Sequence, residues 1–222
     1  MTDFTAARIN MVESQVRCNA VTDLRLIAAM AEVPRENFVP EARRGVAYMD
    51  EDLRLTDAGR GEARYLMEPR AFAKLAQLAE IGETDRVLDI GCATGYSTAI
   101  LARLAHSVTG LEENEELAGA ARSALGELQV ANASVVTGKF REGWAKDAPY
   151  DVIFFNGSVQ VEPTALFDQL AEGGRLAVIM GEGATAQGHV FVKSNGVVSG
   201  RAAFDAIVHS LPGFAIEESF VF

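Results

Sequence analysis

The residues best suited to hold a ligand stand close together near the middle of the chain. Val87-Leu88-Asp89-Ile90-Gly91-Cys92-Ala93-Thr94-Gly95-Tyr96 sets an apolar run against a turn with two glycines. Glycine has no Cβ, so the backbone at such a turn lets a ligand approach closely. Twenty-one positions on from Gly91 stands Glu112, at the end of a second apolar run. A carboxylate about 20 residues beyond the turn, at a strand's carboxyl end, suits a bidentate hydrogen bond to two ribose hydroxyls. Taken alone, the turn is also an ordinary strand–helix connection. Glu112 alone is also one residue of the solvated run Glu112-Glu113-Asn114-Glu115-Glu116. The joint pattern is the specific one.

The details of the turn favour one nucleoside. A dinucleotide loop wants three glycines to seat a pyrophosphate at a helix N-terminus. Here Ala93 takes the second position, and Ser97 and Thr98 follow Tyr96 with no third glycine. Asp89 would set a negative charge near a diphosphate. S-adenosylmethionine has no phosphate and carries a sulfonium and an ammonium, which a carboxylate and an aromatic ring favour by charge and cation–π attraction. The expectation is S-adenosylmethionine held by Asp89, Gly91, Cys92, Ala93, Gly95, Tyr96 and Glu112.

These residues need elements to position them. A helix over 71–80 leads through Gly82 into a strand over 86–90, and a second strand spans 107–111. A third strand spans 134–137, a fourth 150–155 and a fifth 176–180, with helices between; one starts near Pro163 and ends at Gly173-Gly174. Alternating strands and helices predict a doubly wound, mostly parallel sheet of the α/β class. Before it, residues 1–40 read as two helices, the first capped by Thr2 or Asp3 and the second stopping before Pro34. Residues 41–66 read as a long loop, with Gly59 and Gly61 around Arg60. After the core, Asn195-Gly196 between apolar runs signals a type I′ hairpin. A last strand over 214–222 is expected to close an antiparallel edge. The expected organisation is one domain: a cap and substrate loop (1–68), an α/β core that binds S-adenosylmethionine (69–182) and a C-terminal hairpin with edge strands (183–222).

Composition narrows the function. The chain has 222 residues, 49% of them hydrophobic and 23% charged, with a net charge of −11. That sign repels phosphate backbones, which argues against a nucleic-acid partner. Two cysteines and three scattered histidines offer no metal-ligand spacing. No apolar run approaches the ~20 residues that span a bilayer, and the start of the chain lacks the apolar core of a signal peptide. A cytoplasmic protein without a membrane partner is expected.

Further motifs carry a family resemblance. Val33-Pro34-Arg35-Glu36-Asn37-Phe38-Val39-Pro40, followed by Ala47-Tyr48-Met49-Asp50, resembles the N-terminal region of protein-L-isoaspartate O-methyltransferases. The resemblance continues through Val87 to Gly91, Gly143-Trp144, Pro149-Tyr150-Asp151 and Gln169 to Leu176, covering roughly residues 8–182. It implies a Rossmann-like class I methyltransferase with a seven-stranded sheet, which moves a methyl group from S-adenosylmethionine to the α-carboxylate of isoaspartyl residues in damaged proteins or peptides. A carboxylate is ionised at neutral pH and needs positioning rather than a general base.

The sequence departs from that family at the substrate side. The family's Gly-Gln-Thr-Ile-Ser stretch corresponds to Gly61 through Pro69, and its serine falls on Met67, whose thioether donates no hydrogen bond. Met67, Glu68, Pro69 and Asn156 are therefore the candidate substrate contacts, and no catalytic side chain is assigned. Gly138-Lys139-Phe140 replaces a Gly-Asp-Gly that the family places near the adenine, which puts Gly138 and Lys139 among the cofactor candidates. Arg60, Arg64 and Arg70 are candidates for gripping a carboxylate bidentately, set against a plain charge-balanced loop. Trp144 and Phe140 read as packing. Two other readings stay open: a methyltransferase for a different acceptor, and a silent binding protein on the same fold.

Overall fold

A computed structural model describes residues 3–56 and 63–216. Its centre is a seven-stranded sheet built from β3 (Arg86–Ile90), β4 (Ser107–Glu112), β5 (Ala133–Thr137), β6 (Tyr150–Val159), β7 (Leu170–Met180), β8 (Gln187–Ser194) and β9 (Val197–Asp205). The spatial order is β5-β4-β3-β6-β7-β8-β9. The pairs from β5 to β7 are parallel, and β8 and β9 add an antiparallel edge. The chain winds outward from β3 to β5, then returns to start β6 on the other side of β3. The order therefore reverses at β3, and a crevice opens at the carboxyl ends of the strands there.

Alternation along the strands assigns the two faces. Val87, Val152, Phe154, Ala177 and Ile179 pack on one side, whereas Leu88, Ile153, Phe155, Leu176 and Val178 pack on the other. Each fully buried Val, Leu, Ile or Phe among them contributes about 1.5–3 kcal/mol. The first face is covered by α1 (Phe4–Met11), α2 (Leu24–Glu32), α3 (Pro69–Leu78), α4 (Tyr96–Leu101) and α5 (Glu115–Glu127). The second is covered by 3-10 turns and by Leu211 and Phe214 of the C-terminal segment.

Local chemistry explains the boundaries. The Asp3 carboxylate accepts the Ala6 N–H at 3.0 Å and starts α1. Asp23 accepts from Arg25 and Leu26 and starts α2, which ends at Glu32 before Pro34. Pro69 opens α3, where its missing N–H costs nothing. Asn195 (φ 53) and Gly196 (φ 76) supply the two positive φ angles of the type I′ turn between β8 and β9.

Two expectations are corrected. The stretch 41–66 is not one loop: Glu41–Val46 forms a 3-10 turn, and β1 (Leu53–Arg54) pairs antiparallel with β2 (Tyr65–Leu66). Its central residues Gly59, Arg60, Gly61 and Glu62 lie outside the described residues. The helix expected after Pro163 is a short 3-10 turn, Thr164–Gln169, and Gly173-Gly174 sits inside β7 rather than before it. A Cβ on Gly174 would stand 2.8 Å from the Ala171 carbonyl oxygen and 3.0 Å from that of Tyr150. Glycine is required where the register jumps between the Tyr150 and Val152 pairings. Of the last strand expected over 214–222, residues 214–216 form no strand and 217–222 lie outside the described residues.

Candidate active site

The glycine turn after β3 has the conformation its composition implies. Gly91 and Gly95 adopt φ values of +74° and +92°, and Ala93 also lies at +49°. The N–H groups of Gly91 and Cys92 bond the Leu111 carbonyl at 2.9 and 3.2 Å, which ties the turn to the end of β4. Thr94 donates to the Phe38 carbonyl at 2.6 Å and fastens the turn to the N-terminal cap.

Glu112 stands at the end of β4 and is fully buried. Its Oε2 accepts from the Ala93 N–H at 2.9 Å and from Arg64 Nη2 at 2.7 Å. Its Oε1 accepts from the N–H groups of Glu113 and Asn114, both at 3.1 Å. The Arg64 guanidinium also donates to the Gly91 carbonyl at 3.2 Å and lies 4.9 Å over the Phe140 ring. The arginine candidate does grip a carboxylate, and the carboxylate is this chain's own. Arg70 likewise pairs with Glu68 at 2.9 Å.

Asp89 works from behind the turn. It is fully buried, accepting from Ser97 at 2.7 Å and Thr98 at 2.6 Å on one oxygen and from Asn156 on the other. Burial pushes its carboxyl up to about 6, against the three hydrogen bonds that favour the charged form. Asn156 is thereby tied to β3, donating also to the Ile90 carbonyl at 3.3 Å.

The other candidates divide by position. Tyr96 is buried against Phe38 and Phe72, and the cation over its ring is Arg35 at 4.8 Å. Cys92 is buried, and desolvation raises its thiol well above the usual range. Gly138 donates to the Glu112 carbonyl at 3.1 Å. Lys139 points to solvent, 77% exposed, beside Glu142. The Met67 side chain is buried, and its carbonyl accepts from Arg35 at 2.8 Å. Pro69 is the first residue of α3. Glu68 is nearly buried, its carboxyl pushed up by desolvation, and its N–H donates to Asp52 at 2.8 Å.

A cleft of about 630 Å³ opens next to this cluster, lined by Glu51, Asp52, Glu68, Arg70, Glu182, His209 and Ser210. The His209 ring stacks on Tyr65 at 3.5 Å and its Nδ1 lies 2.8 Å from Asp52 Oδ2. Sequence reasoning missed the contribution of this C-terminal segment, and nothing local in Val208-His209-Ser210-Leu211 marks it. It missed Arg35 too, although a charged pair between the prolines of an apolar motif was a signal. Arg35 is completely buried and bonds the Ala47 carbonyl as well as that of Met67.

Comparison with known proteins decides the family. The profile of the protein-L-isoaspartate(D-aspartate) O-methyltransferase family matches residues 7–208. The chain belongs to that family. It is 39% identical to a protein-L-isoaspartate O-methyltransferase of Koribacter versatilis over 82% of this chain and 79% of that protein. To one from Methanoculleus marisnigri it is 38% identical over 78% of this chain and 77% of that one. A solved protein-L-isoaspartate O-methyltransferase superposes with a TM-score of 0.79 at 26% identity, over 93% of this chain and 66% of that one. The fold is shared with a Plasmodium falciparum protein solved with S-adenosyl-L-homocysteine, at a TM-score of 0.74 and 22% identity over 92% of this chain and 97% of that one. The chain is therefore an S-adenosylmethionine-dependent methyltransferase, and its reaction is the family's, methylation of isoaspartyl residues. Among the described residues no helix is long and apolar enough to cross a membrane.

Proposed function

We propose that this methyltransferase holds S-adenosylmethionine over the turn Gly91–Gly95, with Glu112 accepting from the ribose hydroxyls, and takes an isoaspartyl segment of a protein or peptide from the neighbouring 630 Å³ cleft. The observation that carries the reading is the placement of Glu112. It is a buried carboxylate at the end of β4, beside a glycine turn in positive φ, at the strand where the sheet order reverses. The residues fit the group once the Arg64 side chain gives way: Gly91 has no side chain of its own, Glu112 offers an acceptor, and the Phe140 ring face now under the Arg64 guanidinium is exposed to it. The bound cofactor supplies an electrophilic methyl group. The acceptor α-carboxylate, with an ordinary pKa near 3.5, is already ionised at neutral pH. What the chain supplies is alignment and exclusion of water, so the lack of a hydroxyl at Met67 leaves the chemical step without a missing base.

The same proposal divides the work among a cap and substrate loop (1–68), a cofactor core (69–182) and a C-terminal hairpin (183–222), in a cytoplasmic protein. Cys18 and Cys92 are both free thiols, which suits a reducing compartment. The test is calorimetric titration of S-adenosylmethionine into the wild type and Glu112→Ala. Losing hydrogen bonds to a charged acceptor weakens binding by about 1.5–3 kcal/mol, or roughly 10- to 150-fold. Equal affinity in the two proteins would remove Glu112 from the site.

A further inference from the structure

Arg64 occupies the place the proposed reading reserves for a nucleoside. A nucleoside at this crevice needs three things: an acceptor for its vicinal hydroxyls, close approach to a glycine backbone, and a flat face for its base. Arg64 takes all three. Its Nη2 donates to Glu112 Oε2 at 2.7 Å and to the Gly91 carbonyl at 3.2 Å, and its guanidinium lies over Phe140. The contact is closed from above: a Cβ on Gly91 would meet Leu211 Cδ2 at 2.6 Å and Arg64 Nη2 at 3.2 Å. What is left between Arg64, Glu112, Phe140 and Pro212 is a pocket of about 190 Å³, below the usual 300–1,000 Å³ of a small-molecule site.

We propose that Arg64 is a built-in competitor of the cofactor: S-adenosylmethionine enters by displacing the guanidinium from Glu112, and return of the guanidinium helps the spent cofactor leave. The inference rests on the proposed cofactor site and adds to it the residue that sets cofactor affinity.

Three features suit a displaceable occupant rather than a permanent brace. The Glu112 carboxylate keeps three backbone N–H donors when Arg64 departs, so it is not left bare. Among the described residues Arg64 Nε is buried without a hydrogen-bond partner, so the bound state leaves part of the guanidinium's donor set unused there. The Arg64 backbone is fastened, its N–H to Thr56 Oγ1 at 3.1 Å and its carbonyl to the Leu55 N–H at 2.8 Å. The exchange therefore needs only side-chain rotation of Arg64 together with a shift of Leu211. A competitor that holds the site most of the time weakens apparent affinity by the fraction of time the site is free.

The experiment titrates S-adenosyl-L-homocysteine, and adenosine alone, into the full-length wild type, Arg64→Met and Arg64→Lys. Arg64→Met is expected to bind both probes about tenfold more tightly, and Arg64→Lys by a smaller factor, because the lysine ammonium still competes for Glu112 although it lacks the planar face that stacks on Phe140. A readout on the unaltered protein avoids any folding defect: modification of arginines by a dicarbonyl reagent, followed by mass spectrometry. Arg64 is expected to react slowly in the free protein and several-fold faster once S-adenosyl-L-homocysteine is bound. Equal or weaker binding by folded Arg64→Met, or unchanged or slower labelling of Arg64 on binding, overturns the proposal while leaving the cofactor site standing. Failure of every protein to bind either probe overturns both.

Discussion

Replacing Glu112 by glutamine keeps the shape of the side chain and removes its charge, which isolates the electrostatics of the crevice. The carboxylate receives two donors on each oxygen: Arg64 and Ala93 on one, Glu113 and Asn114 on the other. Glutamine has one acceptor oxygen, so its NH2 group must face one of these donor pairs whichever way it is turned. Arg64 is then left as a buried cation, 5% exposed, without its counter-charge. Breaking a buried ion pair from one side costs about 3–5 kcal/mol. For a chain of this size, each kcal/mol moves the melting temperature by about 2–4 °C, so Glu112→Gln is expected to melt about 6–20 °C lower. Chemical denaturation of Glu112→Gln, Arg64→Met and the double variant completes a cycle. The glutamine substitution should cost much less in the Arg64→Met background, with a coupling above about 2 kcal/mol. A cost below about 1 kcal/mol for Glu112→Gln alone, or single effects that add within about 0.5 kcal/mol, would refute the idea that this pair holds the crevice shut.

Asp89 gives a pH signature. Its carboxyl is raised from 3.8 to about 6 in the folded protein, so its protonated form adds stability that is complete below about 4 and lost as pH rises through 6. The difference is roughly 3 kcal/mol; denaturant titrations from pH 4 to 7 should show it in the wild type and not in Asp89→Asn, and equal slopes would contradict the assignment. Gly95→Ala is expected to lose about 1–2 kcal/mol of stability, because φ is +92° and the added Cβ would sit 3.1 Å from that of Ala121; a melting curve within 1 °C of the wild type would contradict that strain. Lys139→Ala, whose side chain is exposed, is expected to leave stability within about 0.5 kcal/mol and S-adenosylmethionine affinity unchanged. A several-fold weaker titration would place Lys139 at the cofactor after all.

The α/β core was legible because its signals are local. The run from Arg86 to Ile90 is a strand with the boundaries read from sequence, and the glycine turn and Glu112 lie where the spacing put them. Asn195-Gly196 is a turn whose two residues dictate its geometry. What stayed hidden depends on long-range partners. Nothing near Arg64 in sequence says that its guanidinium reaches Glu112, 48 residues away. Asp52 and His209 meet across 157 residues, and the pairing that makes β1 and β2 a hairpin spans residues with no strand periodicity of their own. Tyr96 was read as a partner for a bound cation because its position in the turn is visible, whereas the arginine that stacks on it is not. Gly173-Gly174 reads as a turn by composition, yet a close approach of two strands needs the same residue for a different reason.

The most direct measurement is transfer of labelled methyl from S-adenosylmethionine to an isoaspartyl peptide, with its normal aspartyl isomer as control. Base-labile label on the isoaspartyl peptide alone, falling in Glu112→Ala when S-adenosylmethionine is held below saturation, is the predicted result. Label on neither peptide, or equally on both, would contradict the account.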